Sequence, residues 1–217
     1  AVKIFFDLSN KYEFLKNSSS SEHQILLSAI SEKKNIKSIL EIGTYDATNS
    51  FLISKLFPNS NIDTIDLPDD DEIFKNSYGR ENIKKLNKLI DTRNNILKKN
   101  TSINFSQRNS VSLTAEKKKY DLIWIDGAHG YPVVTIDIIN SLKLINSHGV
   151  ILCDDVWIDK PLVQDEMYNS LASYETLQQL KTNNLINFSL FYKRLDMKNN
   201  SYKYKRKYIA FVKKNYE

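Results

Sequence analysis

The sequence predicts an α/β fold, a doubly wound and mostly parallel sheet closed by a reversed last strand. Three observations carry this. Short apolar runs alternate along the chain with amphipathic stretches of helical period, the signature of successive β/α units. The segment Tyr120-Asp121-Leu122-Ile123-Trp124-Ile125-Asp126 is almost continuously apolar, as a strand covered on both faces of a parallel sheet must be. Finally, Leu185 to Tyr192 and Tyr208 to Lys213 are strand-like, and the polar basic stretch Lys193 to Lys207 between them accommodates no helix. These two segments therefore pair antiparallel.

At 217 residues, 41% of them hydrophobic, the chain suffices for one α/β domain with a full core. No repeat or linker divides it, so one domain is expected over 1–217, with an N-terminal helical cover over 1–35 and the sheet-bearing core over 36–217. No apolar run approaches the ~20 residues that span a bilayer. The single Cys153 excludes an intramolecular disulfide and fits a reducing compartment. Ala1-Val2-Lys3-Ile4 shows no signal-peptide pattern, and cytoplasm is the expected location. The net charge of +5 admits an anionic partner, but the richness in Lys, Asn and Ile that AT-rich codons produce is the preferred account of it.

In chain order, Phe5, Phe6, Phe14 and Leu15 precede a serine loop, Ser18 to Ser21. Ser21 is placed to cap a helix over Glu22 to Lys34 with Ile25, Leu26, Ala29 and Ile30 inward. His23 and Gln24 either face a substrate from this helix or form its exposed start. Ser38 to Ile42 reads as the first strand, Gly43 as a tight turn, and the following helix carries Phe51, Leu52, Leu56 and Phe57 on its apolar side. The second strand is Asn61 to Ile65, ending at Asp66 and an acidic loop, Pro68-Asp69-Asp70-Asp71. Ile83, Leu86, Leu89, Ile90 and Ile96-Leu97 recur at helical spacing, with Lys84, Lys85, Lys88 and Arg93 on a face read as solvated. Tyr78-Gly79-Arg80 before it is a weak candidate for a substrate loop. Ser102 to Ser106 alternates as the third strand. The fourth strand leads through Gly127 to Pro132 into a helix over Val133 to Ile145. Ser147-His148-Gly149 ends that helix, Val150 to Cys153 forms the fifth strand, and a helix over Leu162 to Leu180 follows, with Pro161 near its first turn.

The first strand, turn and helix make a ligand cradle at the strand's carboxyl end. Dinucleotide binders require G-x-G-x-x-G so that backbone can approach a pyrophosphate. Here Tyr45 and Thr48 occupy the second and third glycine slots, which disfavours a dehydrogenase. S-adenosylmethionine carries no phosphate and makes no such demand. Asp66 lies close to the ~20-residue spacing at which an acid meets a ribose hydroxyl pair, a feature that supports a nucleoside rather than a particular cofactor. Asn109, just past the third strand, can both donate to and accept from an adenine edge.

Asp126 ends the fourth strand and Asp154 and Asp155 end the fifth. If the strands are neighbours, about 4.8 Å apart, these acids emerge together at the edge that holds Gly43. Mutual repulsion then calls for protons or a cation. All-oxygen donors suit Mg²⁺, Mn²⁺ or Ca²⁺ rather than zinc, and such an ion would orient a substrate hydroxyl and lower its pKa. The alternative is that the acids cap helices or accept backbone N–H groups. His129, three positions after Asp126, is a candidate base or a loop-bonding histidine. His148 falls at the opposite edge and reads as structural.

Glu41-Ile42-Gly43, Asp66, Asn109-Ser110, Asp126-Gly127-x-His129 and Asp154-Asp155, in this order, resemble the class I S-adenosylmethionine-dependent methyltransferases. Within them the pattern is most similar to the metal-dependent small-molecule O-methyltransferases of the catechol, macrolide and cephalosporin tailoring types. The resemblance covers roughly residues 22–212. It implies a Rossmann-like seven-stranded sheet in the order 3-2-1-4-5-7-6, with the last strand antiparallel and helices on both faces. It also implies methionine-tail contacts at Glu41, Gly43, Thr44 and Tyr45, ribose at Asp66, adenine at Asn109 and Ser110, and a cofactor contact at Asp126. The implied ion, Mg²⁺ first, would sit on Asp126, Asp154 and Asp155, with His129 and Asp126 catalytic. Ala47 stands where a glycine is usual, Asn109 where an acid is usual, and His129 where the catechol type has lysine. The implied partner is a small-molecule acceptor, with a homo-oligomer left open and a membrane excluded. A nucleic-acid methyltransferase is the first rival, through Tyr202, Lys203, Tyr204, Lys205, Arg206, Lys207 and Tyr208. It lacks the Asn/Asp-Pro-Pro-aromatic motif after the fourth strand. A non-catalytic protein of the same fold is the second rival.

Overall fold

The computed structural model describes residues 1–12, 22–159, 169–193 and 207–215. Its strands are β1 (Ser38–Ile42), β2 (Asn61–Asp66), β3 (Ile103–Gln107), β4 (Tyr120–Ile125), β5 (Ile145–Trp157), β6 (Ile186–Lys193) and β7 (Lys207–Lys214). They form one seven-stranded sheet in the order β3-β2-β1-β4-β5-β7-β6. β1 to β5 pair parallel, and β7 runs antiparallel to both β5 and β6. The expected order and reversed last strand are both present.

The flanking helices are α1 (Val2–Lys11), α2 (His23–Lys33), α3 (Thr48–Leu56), α4 (Glu72–Lys75), α5 (Ile83–Lys98), α6 (Val133–Leu144) and α7 (Ala172–Thr182), with a 3₁₀ turn at Ser110–Ala115. Alternation along the central strands divides the core between the two faces. Leu40, Ile42, Ile123 and Ile125 pack with Val134 and Ile138 of α6 and Leu177 of α7. Ile39, Leu122 and Trp124 pack instead with Leu27 of α2 and with Phe51, Leu52 and Ile53 of α3. Burial of each such side chain contributes about 1.5–3 kcal/mol. Among the described residues, no helix is long and apolar enough to cross a membrane.

Four expectations need correction. Arg93 is not on a solvated face. It is 1% exposed, its guanidinium grips Asp69 through two bonds of 2.7 and 2.8 Å, and it lies 4.6 Å from the Phe105 ring centroid. Ile83, read as inward, is exposed, because α5 starts there with Asn82 as its cap. The fifth strand is much longer than Val150 to Cys153. α6 ends at Leu144 and the chain enters β5 at once, so Ser147-His148-Gly149 lies within β5 and does not end a helix. Gly149 permits this turn-free entry, since a Cβ there would meet Ile145 side-chain carbons at 2.6 Å. The seventh helix begins only at Ala172, whose N–H donates to Ser170 Oγ. Pro161 and Leu162 lie outside the described residues, as do Phe14, Leu15 and Ser18 to Ser21.

Candidate active site

The carboxyl ends of β2, β1 and β4 are joined by backbone bonds. Gly43 N donates to Ile65 O at 2.9 Å, and Asp126 N donates to Ile42 O at 2.8 Å. Gly43 adopts φ +98°, and a Cβ on it would lie 2.2 Å from the Asp126 carbonyl oxygen. Only glycine allows this approach. Tyr45 (φ 50°) and Ala47 (φ 63°) are also left-handed, a conformation that costs an L-residue roughly 1–2 kcal/mol. The usual glycine at position 47 is thereby explained.

This turn orients Asp66. Tyr45 N donates to its Oδ2 and Leu67 N to its Oδ1, both at 2.8 Å. Each carboxylate oxygen retains a second lone pair for an incoming hydroxyl. Burial pushes the Asp66 pKa up, while these backbone donors pull it down. Beneath the turn, Glu41 is fully buried and does not line the cavity. Ser50 Oγ, Thr64 Oγ1 (2.6 Å) and Asn49 Nδ2 (2.8 Å) donate to it. Thr64 spends its only hydrogen on Glu41, so Thr44 Oγ1 donates in the 2.7 Å contact between the two threonines.

A cavity of about 580 Å³ follows the sheet edge, from Asn109 and Ser110 past Asp66 and Gly43 to His23 and Gln24. This falls within the usual range for small-molecule sites. Asn109 Oδ1 accepts the Val111 N–H at 2.9 Å and caps the 3₁₀ turn, which leaves its NH2 group as the outward donor. Phe74 and Arg80 form part of the wall, with the guanidinium 3.9 Å from the ring centroid. The weak loop signal at Tyr78-Gly79-Arg80 therefore lies on the cavity. His23 and Gln24 line it too, as the substrate-facing alternative required. The His23 ring lies 5.4 Å from that of Trp124, and burial lowers its pKa to about 4. Its imidazole is neutral near pH 7.

The three expected acids do converge, but they face different surroundings. Asp126 lines the cavity. Burial, and then Asp154, push its pKa well up. His129 is 1% exposed and lies outside the cavity lining, with Nε2 3.7 Å from Asp126 Oδ1 and 4.0 Å from Asp155 Oδ2. Burial lowers its pKa. Asp154 and Asp155 lie inside β5 rather than beyond it, at a register shift between Cys153 and Val156 where Asp155 takes φ 51°. The Lys193 ammonium bonds Asp154 Oδ2 and, at 2.6 Å, Asp155 Oδ1; the Lys207 ammonium bonds Asp155 Oδ2. Burial opposes ionisation of Asp155, yet Lys193, His129 and Lys207 hold its pKa below the usual carboxylate range.

The donor set in this arrangement does not fit the expected divalent ion. Three of the four oxygens of Asp154 and Asp155 already face ammonium groups. Among the described residues, no group of three His, Cys, Asp or Glu side chains is disposed to hold a metal. Sequence reasoning missed the two lysines. The one signal for them was their position at the two ends of the stretch that connects the strands of the predicted last hairpin. Of the rival nucleic-acid tract, Tyr202, Lys203, Tyr204, Lys205 and Arg206 lie outside the described residues, Lys207 is paired with Asp155, and Tyr208 is buried.

A sheet of this order, with a cavity across the end of β1 and an acid ending β2, is the fold of the class I S-adenosylmethionine-dependent methyltransferases. The chain belongs to the methyltransferase-domain family, whose pattern matches residues 40–156, more than half of its length. Solved structures agree on the fold. The O-methyltransferase TomG of Streptomyces achromogenes, involved in tomaymycin synthesis and in complex with SAM, is 14% identical with TM-score 0.64, covering 90% of this chain and 81% of that one. The Bacillus cereus O-methyltransferase in complex with SAH is 13% identical with TM-score 0.64, covering 97% and 88%. An SAH-bound methyltransferase of Podospora anserina is 16% identical with TM-score 0.62, covering 99% and 87%. No curated protein sequence matches the chain.

Proposed function

We propose that this methyltransferase uses S-adenosylmethionine to methylate a hydroxyl group of a small molecule. The observation that carries the reading is the continuity of one cavity. It brings a nucleoside end, Asp66 with Asn109 and Ser110, into continuity with an acceptor end at Asp126, His23 and Gln24. The O-methyltransferases with SAM or SAH bound that share the fold support it.

S-adenosylmethionine supplies an electrophilic methyl group. Asp66 accepts the ribose hydroxyls, the Asn109 amide and Ser110 meet the adenine edge, and the turn from Gly43 to Tyr45 borders the methionine tail. The chain's task is then alignment, since displacement at the methyl carbon requires the acceptor oxygen in line with the carbon–sulfur bond. Of the catalytic pair, Asp126 is the member on the cavity and accepts the acceptor's proton; His129 stands behind it. A divalent ion has no step in this reading, because Lys193 and Lys207 engage the remaining acids.

Calorimetric titration with S-adenosylhomocysteine tests the nucleoside end. Asp66→Ala should weaken binding about 10- to 100-fold, the loss of hydrogen bonds to a charged acceptor. Unchanged affinity refutes the ribose role. Methyl transfer to phenols and catechols, with RNA as the competing substrate class, tests the acceptor; transfer to RNA alone refutes a small-molecule acceptor.

A further inference from the structure

Lys193 is the last residue of β6 and Lys207 the first of β7, and they are direct partners across the hairpin. β7 is also the antiparallel neighbour of β5, with Lys207 opposite Trp157. The connected end of the hairpin, where β6 stops and β7 starts, therefore overhangs the stretch of β5 that carries Asp154 and Asp155. The Lys193 side chain is 8% exposed and that of Asp154 2%. A buried ammonium between two carboxylates is a built-in counter-charge, because each partner would be costly to bury alone. Magnesium and its analogues require near-octahedral oxygen donors at about 2.0–2.1 Å, and an ammonium seated between the same oxygens excludes that geometry.

We propose that Lys193 is an internal cation. Its ammonium bridges Asp154 and Asp155 where a divalent ion would otherwise bridge them, so the acid edge carries its counter-charge without added metal. Lys193 is a positioning residue. It holds Asp155 beside His129, and through His129 the arrangement supports Asp126 on the cavity wall. Lys207 anchors the outer oxygen of Asp155 and shares the charge. The role in turnover rests on the methyltransferase reading above, whereas the ion preference of the acids does not.

Mn²⁺ alone is the probe, its free form read by electron paramagnetic resonance against the full-length protein. Wild type should leave the free Mn²⁺ signal unchanged. Lys193→Ala should create a site that binds Mn²⁺ about tenfold or more tightly than wild type does, the gain expected when a like charge leaves a buried acid pair. Adding Asp154→Asn should remove that site, and Lys193→Arg, which keeps the cation, should remain blind to Mn²⁺. Stoichiometric Mn²⁺ binding by wild type that Asp154→Asn abolishes overturns the proposal, and this arm requires no lysine variant to fold. In turnover, wild-type rates should hold within about twofold in chelator, while Lys193→Ala should lose activity and regain part of it with Mn²⁺. A wild-type rate that collapses in chelator overturns the proposal. S-adenosylhomocysteine calorimetry separates the two readings: failure of wild type to bind it ends the methyltransferase reading and leaves the Mn²⁺ result to decide the role of Lys193.

Discussion

Glu41 shows what one buried carboxylate costs and where it pays off. It is fully buried, and burial raises its pKa to about 7 despite the donors Ser50, Thr64 and Asn49. In the unfolded chain it loses its proton near 4.5. The folded state therefore binds the proton more tightly, and the group's contribution is most favourable below pH 4.5. It is lost progressively as pH rises toward 7, a change of about 3 kcal/mol at ~1.36 kcal/mol per pKa unit. Glu41→Gln retains the side-chain length and removes the titration. Urea unfolding of both proteins across this range should show the variant gaining on wild type by up to about 3 kcal/mol between pH 4.5 and 7. A difference that does not vary with pH rules out the perturbed carboxyl. The burial of Glu41 follows from its inward place in a strand with Ile39, Leu40 and Ile42. Its hydrogen bonds to residues of α3 and β2 depend on how those elements pack.

The β1 turn is the element on which the site depends, and comparing its Gly43 with Gly149 of β5 separates cause from convenience. A methyl group at Gly43 would strike backbone, the Asp126 carbonyl at 2.2 Å, in a left-handed conformation. At Gly149 a methyl would strike the Ile145 side chain at 2.6 Å and approach the Asp121 carbonyl at 3.0 Å, and φ there is not left-handed. Gly43→Ala should therefore cost about 3 kcal/mol or more, and Gly149→Ala about 1 kcal/mol. Gly43→Ala should also depress S-adenosylhomocysteine affinity, because Asp126 and Asp66 are both tied to that turn. Equal unfolding costs for the two variants would refute the backbone-clash argument. Gly43 was legible because strand, glycine and helix follow one another within a dozen residues. β5 was not legible as a long strand. Ser147-His148-Gly149 has the composition of a helix stop, and it lies in the register shift between the Tyr120–Ile145 and Leu122–Val150 pairs, which no local pattern announces. The Lys193 and Lys207 contacts to Asp155 were equally hidden. They span 38 and 52 positions, and a local reading of the basic stretch finds a polar connection or a nucleic-acid tract.

Across the whole molecule, the layers were legible in the alternating periods, and the strand order in the residues that resemble a known family. The identity of the acid edge depended on the closing hairpin, which meets β5 only after the sheet has assembled. The same assembly makes the cavity a seam between independent packing clusters. Its lining draws on Leu52 from the cluster beneath α2 and α3, Ile42 and Val133 beside the one beneath α6, and Phe74 from the small cluster at α4 and α5. A ligand bound there contacts all three and is absent from the unfolded chain, so its binding energy adds to global stability. At about 100 times its dissociation constant, S-adenosylhomocysteine should stabilise the fold by about 2.7 kcal/mol. For a chain of this size that raises the melting temperature by about 5–10 °C. Asp66→Ala should lose most of the rise at the same ligand concentration and recover it as the concentration is increased. Lys193→Ala should retain the full rise, because Lys193 lies on the acid edge outside the cavity lining. A thermal shift that is abolished in Lys193→Ala but intact in Asp66→Ala would move the cofactor to the other end of the sheet edge and refute the assignment of the nucleoside to β2.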